Sequence, residues 1–336
     1  MGKAEKICVI RVNLCLKTIT LMSFILKMRP LKFIHYILFV TAIVVVLSSF
    51  IKKDEVKDFS KETPPGTTKI AENLFMDKAE ISNFTYLEYI YWLERVFGKD
   101  SDELNSAQPN TEVWLKDSCL GLTYSLNFFG HPKYRDCPVV GITQEQALTY
   151  CKWRADRVFE IYLIREKILE HQPNQHAENY FSIENYYSGK YNNTPPDLRY
   201  NIYPEYRLPT KEEWLLGKEF FEAYNLKNGK TCKKKYCDFH IRKEDIPNHS
   251  NYNVVPCDGD SLLVEPLKTT RCDKNTTLGF YFHGNVSEWL AAENKIIGGN
   301  WRDTTNTHFD IPQHQEYPSE YVGFRCVATW KKYEKK

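Results

Sequence analysis

Apolar residues follow three different rhythms along this chain. The first is continuous. Phe33 to Ile51 is a run of 19 residues without Asp, Glu, Lys or Arg, roughly 28 Å long as a helix and close to the ~30 Å hydrocarbon core of a bilayer. The second is helical. Ser82-Asn-Phe-Thr-Tyr-Leu-Glu-Tyr-Ile-Tyr-Trp-Leu-Glu predicts a helix over 82–94, capped by Ser82 or Asn83, with Phe84, Leu87, Tyr91 and Val96 as its buried stripe. Thr143-Gln-Glu-Gln opens a second helix as a capping box, with Ala147, Tyr150, Cys151 and Trp153 turned inward and no Gly or Pro before about Leu169. Thr210 caps a third, with Glu213 at the reciprocal position and Pro209 just before it. The third rhythm has no period. Residues 171–206 and 228–277 are rich in Asn, Tyr, Pro and Asp and predict long loops.

Composition and charge narrow what such a chain does. Seven basic residues and one acid, Glu5, precede the apolar run, which places the N-terminus in the cytoplasm and the rest outside. The alternative is a cleaved signal peptide beginning at Met28, but Leu47-Ser-Ser-Phe-Ile is a poor cleavage site. The reading is therefore a cytoplasmic segment over 1–32, a signal anchor over 33–51, a charged linker over 52–73, one domain over 74–330 and a polar tail over 331–336 that frays. The formal net charge is +2, from 45 basic and 43 acidic residues, so no global field draws the protein onto nucleic acid. Cys8 and Cys15 precede the run. Cys119, Cys137, Cys151, Cys232, Cys237, Cys257, Cys272 and Cys326 follow it, an even number that suits disulfides in an exported domain.

An ordered series of motifs then points to a family. Pro138-Val-Val-Gly-Ile-Thr leads to Tyr150-Cys-Lys-Trp153, followed by Arg207-Leu-Pro-Thr-Lys-Glu-Glu-Trp214, Gly284-Asn-Val-Ser-Glu-Trp289, Gly298-Gly-Asn-Trp-Arg-Asp303 and Gly323-Phe-Arg-Cys326; Glu80-Ile-Ser-Asn-Phe-Thr-Tyr86 stands ahead of them. The series resembles the formylglycine-generating, or sulfatase-modifying factor, family, and is most similar to its gliding-motility and secretion lipoprotein branch. That resemblance implies a single irregular α+β domain, related to C-type lectins and rich in loops and disulfides. It also implies a disulfide between Cys151 and Cys326, worth ~3–5 kcal/mol for so long a loop, and a calcium site at Asn285, Glu288 and the Val286 carbonyl. The chain departs from the family where its chemistry resides. Asn300 stands at the Ser position of the Gly-Gly-Ser motif, Asp303 at the first catalytic Cys position, and the second falls near His308. Neither side chain supplies the thiolate that copper-dependent oxidation requires, so no copper is expected.

Three smaller features have structural explanations beside their chemical ones. Cys232, Cys237, His240 and Cys257 have spacing acceptable for zinc, yet two disulfides suit an exported chain better. Asp303 and His308, with Asn300, Arg302 and Arg325, would line the old catalytic groove as an acid–base pair, or the two arginines are structural ion-pair partners. Asn83, Asn192, Asn248, Asn275 and Asn285 head glycosylation sequons that matter only in a eukaryotic secretory route. The resulting expectation is a non-catalytic, membrane-anchored component of a cell-envelope gliding or secretion assembly, its partners envelope proteins. The alternatives are an enzyme that uses Asp303 and His308, or a lectin-like carbohydrate binder.

Overall fold

The computed structural model describes residues 57–116, 121–228, 253–256, 262–265, 282, 284–301 and 309–334. In chain order its strands are β1 (Thr67–Ala71), β2 (Leu74–Asp77), β3 (Ile202–Arg207), β4 (Asn253–Pro256), β5 (Leu262–Glu265), β6 (Ser287–Trp289), β7 (Lys295–Ile297), β8 (Gln313–His314), β9 (Val322–Gly323) and β10 (Val327–Lys332). Its helices are α1 (Asn83–Phe97), α2 (Asp102–Ala107), α3 (Gly121–Asn127), α4 (Gln144–Arg165), α5 (Ile183–Tyr187) and α6 (Lys211–Asn228). This is a mixed α+β fold with short strands. One sheet runs β1-β2-β10-β3, antiparallel throughout, and a second runs β8-β7-β6-β9 with β6 and β9 parallel. The chain passes from the second sheet to the first through three residues, Phe324-Arg325-Cys326, all buried. The Gly-Phe-Arg-Cys motif is therefore the seam between the sheets.

The capping chemistry read from the sequence is present. Ser82 Oγ accepts the Thr85 N–H at the start of α1, and Thr143 and Gln146 form a reciprocal box on α4. Thr210 and Glu213 do the same on α6 (3.2 and 2.9 Å), each pair satisfying donors that a helix start leaves open. Helix α4 stops four residues short of the expected Leu169. Lys167 turns left-handed at φ +60°, and the Ile168 N–H returns to the Leu163 carbonyl, so the turn is closed by the backbone without a glycine.

The buried stripe of α1 is the expected one only at Val96. Tyr86, Tyr89, Ile90, Leu93 and Val96 face the core, whereas Phe84 is 45% and Tyr91 66% exposed. The helix carries apolar residues on two faces. The side that wins stacks aromatic rings on α4, with Tyr86 at 5.5 Å from Tyr150 and Tyr89 at 5.2 Å from Trp153, contacts that spacing alone does not reveal.

Two boundary expectations are also corrected. From Lys57 onward the expected linker belongs to the domain: Phe59 is buried against Tyr162 and Tyr200, and β1 pairs with β2. The expected frayed tail is strand through Lys332, and Tyr333 stacks on Tyr187 at 3.8 Å while its N–H bonds the Asn201 carbonyl. The irregular stretch 171–206 contains α5 and β3, whose alternation is hidden among tyrosines that are themselves buried.

Candidate functional site

Three of the sequence motifs converge on one buried ion pair. Arg325 donates from Nε to Glu288 Oε2 (2.7 Å) and from Nη2 to Glu288 Oε1 (2.6 Å), a two-pronged contact between side chains that are 0% and 1% exposed. Trp214 of α6 donates its indole N–H to the same carboxylate (2.8 Å), and Phe282 lies under the guanidinium at 4.0 Å. Three motifs distant in sequence thus meet on Glu288. Burying both charges is costly, and only this degree of pairing offsets it.

A second carboxylate sits beside the pair. Glu80 is buried; its Oε1 accepts from Asn285 Nδ2 (3.1 Å) and its Oε2 has no hydrogen-bond partner. Desolvation pushes the Glu80 carboxyl well above the usual carboxylate range, against the pull of Arg325 and with the push of Glu288.

Asn285 holds the turn before β6. Its φ of +61° is left-handed, a conformation that Asn tolerates, and its carbonyl accepts the Trp301 N–H (2.8 Å). Two of the residues expected for calcium have protein partners. Both Glu288 oxygens are engaged by the guanidinium and indole donors, the Asn285 amide is turned to Glu80, and a cation at Glu288 would face the Arg325 charge. Arg325 is also no groove residue, being wholly buried at the join between the sheets.

The Gly298-Gly299 turn lies on the other side of β6. Asn300 is buried and donates to Ser287 Oγ (3.3 Å), which itself donates to the Gly298 carbonyl (3.3 Å). Phe309 lies over Gly299 so closely that a Cβ there would stand 2.0 Å from its ring. Lys218 of α6 reaches Asp310 (2.6 Å) and ties helix to loop. Arg302, Asp303 and His308 lie outside the described residues, as do Cys119, Cys232, Cys237, His240, Cys257 and Cys272; the acid–base and zinc readings rest on those residues.

The structure brings Cys151 and Cys326 together. Their sulfurs stand 3.4 Å apart, buried, in contact but beyond bonding distance. Burial pushes the Cys326 thiol well up. The Cys326 N–H bonds Asp77 Oδ2 (2.9 Å), and Arg154 grips both Asp77 oxygens (2.7 and 2.8 Å). Arg154 passes over Gly66, where φ is +84° and a Cβ would meet the guanidinium at 2.5 Å, so that position requires glycine. Two sequon asparagines, Asn83 and Asn285, are 0% exposed and have no room for a glycan; Asn83 Nδ2 donates to the carbonyls of Phe128 and Tyr134.

Sequence reasoning gave Asn285 and Glu288 to one candidate site, Asn300 and Arg325 to another and Cys151 and Cys326 to a disulfide, and it missed the roles of Glu80, Trp214 and Ser287. All three stand inside the quoted motifs, so the signal was motif membership itself.

The model of the sulfatase-modifying factor enzyme 1-like domain matches residues 40–330. A search of curated proteins gives no match. Among solved structures, the crystal structure of CarF is similar over 76% of this chain and 86% of its own, at 15% identity and a TM-score of 0.36, a likeness too loose to carry an argument.

Proposed function

The chain belongs to the sulfatase-modifying factor family, and from that premise we propose that it is a membrane-anchored, extracytoplasmic member without the family's cysteine chemistry, serving as a structural or binding component of a cell-envelope assembly of the gliding or secretion kind. The observation that carries this reading is the Gly-Gly turn. It is followed by Asn300 and Asp303 where the family's motif has Ser and the first Cys, and the protein's own Phe309 ring lies on Gly299. The Glu288–Arg325 pair fits the same picture. It is closed, doubly bonded and buried, an arrangement that holds the sheets together. Anchoring is supported by the apolar run Phe33–Ile51 and the basic residues ahead of it. A disulfide between Cys151 and Cys326 is part of the proposal, since oxidation of two sulfurs already in contact needs little movement. Such a bridge would tie α4 to the join between the sheets.

The test is to incubate the full-length chain with a cysteine-containing sulfatase-type peptide, with and without copper, and to read the peptide by mass spectrometry. The proposal expects an unchanged thiol in both. Conversion of that thiol to an aldehyde would overturn it.

A further inference from the structure

The outermost line of α1 is Phe84, Glu88, Tyr91 and Arg95, all exposed, with half-buried Leu87 beside them. The spacing is four, three, four, the spacing of a seam that faces another helix. It also reads the same in reverse. A second α1 laid antiparallel, about a two-fold axis between positions 89 and 90, presents the same four residues in register. Phe84 then faces Arg95 of the second copy, and Glu88 faces its Tyr91, with each Glu88 one turn from the opposite Arg95. A cation over an aromatic face and a phenol donating to a carboxylate are both favourable pairings. A parallel arrangement would set Glu88 on Glu88 and Arg95 on Arg95, which like charges oppose.

The seam is partly ordered in the single chain. Arg95 Nη1 donates to the Pro173 carbonyl (3.2 Å), and Arg135 covers one face of the Phe84 ring at 4.5 Å while the ring remains 45% exposed. Side chains already held cost less to fix on association. The two charges of the seam, Glu88 and Arg95, argue against a lipid surface as the occupant. We propose that this face of α1 is a self-association surface on which a second copy of the chain packs antiparallel, an isologous contact in which Phe84 meets Arg95 and Glu88 meets Tyr91 in both directions.

The test uses the full-length chain in detergent, followed by sedimentation velocity over a range of protein concentrations, with circular dichroism to confirm folding. The wild type is expected to show a monomer–dimer equilibrium. Glu88→Arg, which places four basic groups along the seam, is expected to lower the association constant by about tenfold or more, and Glu88→Arg combined with Arg95→Glu is expected to restore it. A wild type that stays monomeric at every concentration would overturn the proposal. So would a folded Glu88→Arg protein that dimerises as the wild type does, the result expected if the apolar run alone drove association. A folded double variant that remains monomeric would overturn it too.

Discussion

At the scale of single residues, two buried glutamates beside one arginine are expected to respond oppositely to the same change. Glu288 is held by Arg325 and Trp214. Arg325→Met would strand that carboxylate in the interior, and urea unfolding should show a loss of about 3–5 kcal/mol. Burial pushes the Glu80 carboxyl up, so Glu80→Gln, which keeps an acceptor without the charge, should leave the urea midpoint at pH 7 unchanged or slightly raised. Equal losses in the two variants would show that Glu80 is an anion in the fold. The motifs made Glu288, Asn285 and Arg325 legible from the sequence as site candidates, with Arg325 assigned to a separate groove. Their division of labour was not legible, because it depends on which carboxylate lies within reach of the guanidinium. Nor does an Asn-x-x-Glu pattern record that the Glu288 carboxylate is already engaged by Arg325 and Trp214.

At the scale of elements, α4 is joined to α5 by Asp156, whose Oδ1 accepts the Ile183 N–H (2.8 Å). Burial pushes the Asp156 carboxyl up to about 6 from 3.8, although the Ile183 hydrogen bond and Arg157 favour the anion. The native state thus binds this proton more tightly than the unfolded chain. Its contribution is fully present below about pH 4 and is lost as pH rises through 6. Asp156→Asn keeps an acceptor without the charge. Thermal unfolding should show the variant more stable than wild type at pH 7.5, by at most about 3 kcal/mol, with the difference vanishing near pH 4. A difference independent of pH would assign the effect to packing. Helix starts are where the sequence was most legible, since Ser82, Thr143 and Thr210 each cap the helix they were read to cap. Ser82→Ala should cost about 1 kcal/mol in the urea midpoint. Helix faces were less legible. The apolar positions of α1 fit two stripes, and the choice between them was made by rings on α4, remote in sequence. The face left outside is the one proposed to meet a second copy.

At the scale of the whole molecule, the two sheets share one join, Phe324-Arg325-Cys326, and Cys326 faces Cys151 across it. Mild oxidation of the full-length chain should produce a Cys151–Cys326 peptide on non-reducing mass spectrometry and raise stability by ~3–5 kcal/mol, as closure of so long a loop allows. Two thiols that stay unlinked would remove the disulfide from the proposal. The fold class and the motif order were readable from the chain. The extent of the domain was not. Residues 57–73 read as a linker because their charged, Pro-Gly-rich composition masks Phe59 and the short β1, which become apolar surface only when β2 and β10 are beside them. The measurement closest to the central claim is purification of the full-length chain from the membranes of the cells that make it, in mild detergent, with native mass spectrometry of the product. The account predicts a discrete assembly in which the chain is bound stoichiometrically to other envelope proteins. Recovery of the chain alone, or only as its own dimer, would contradict it.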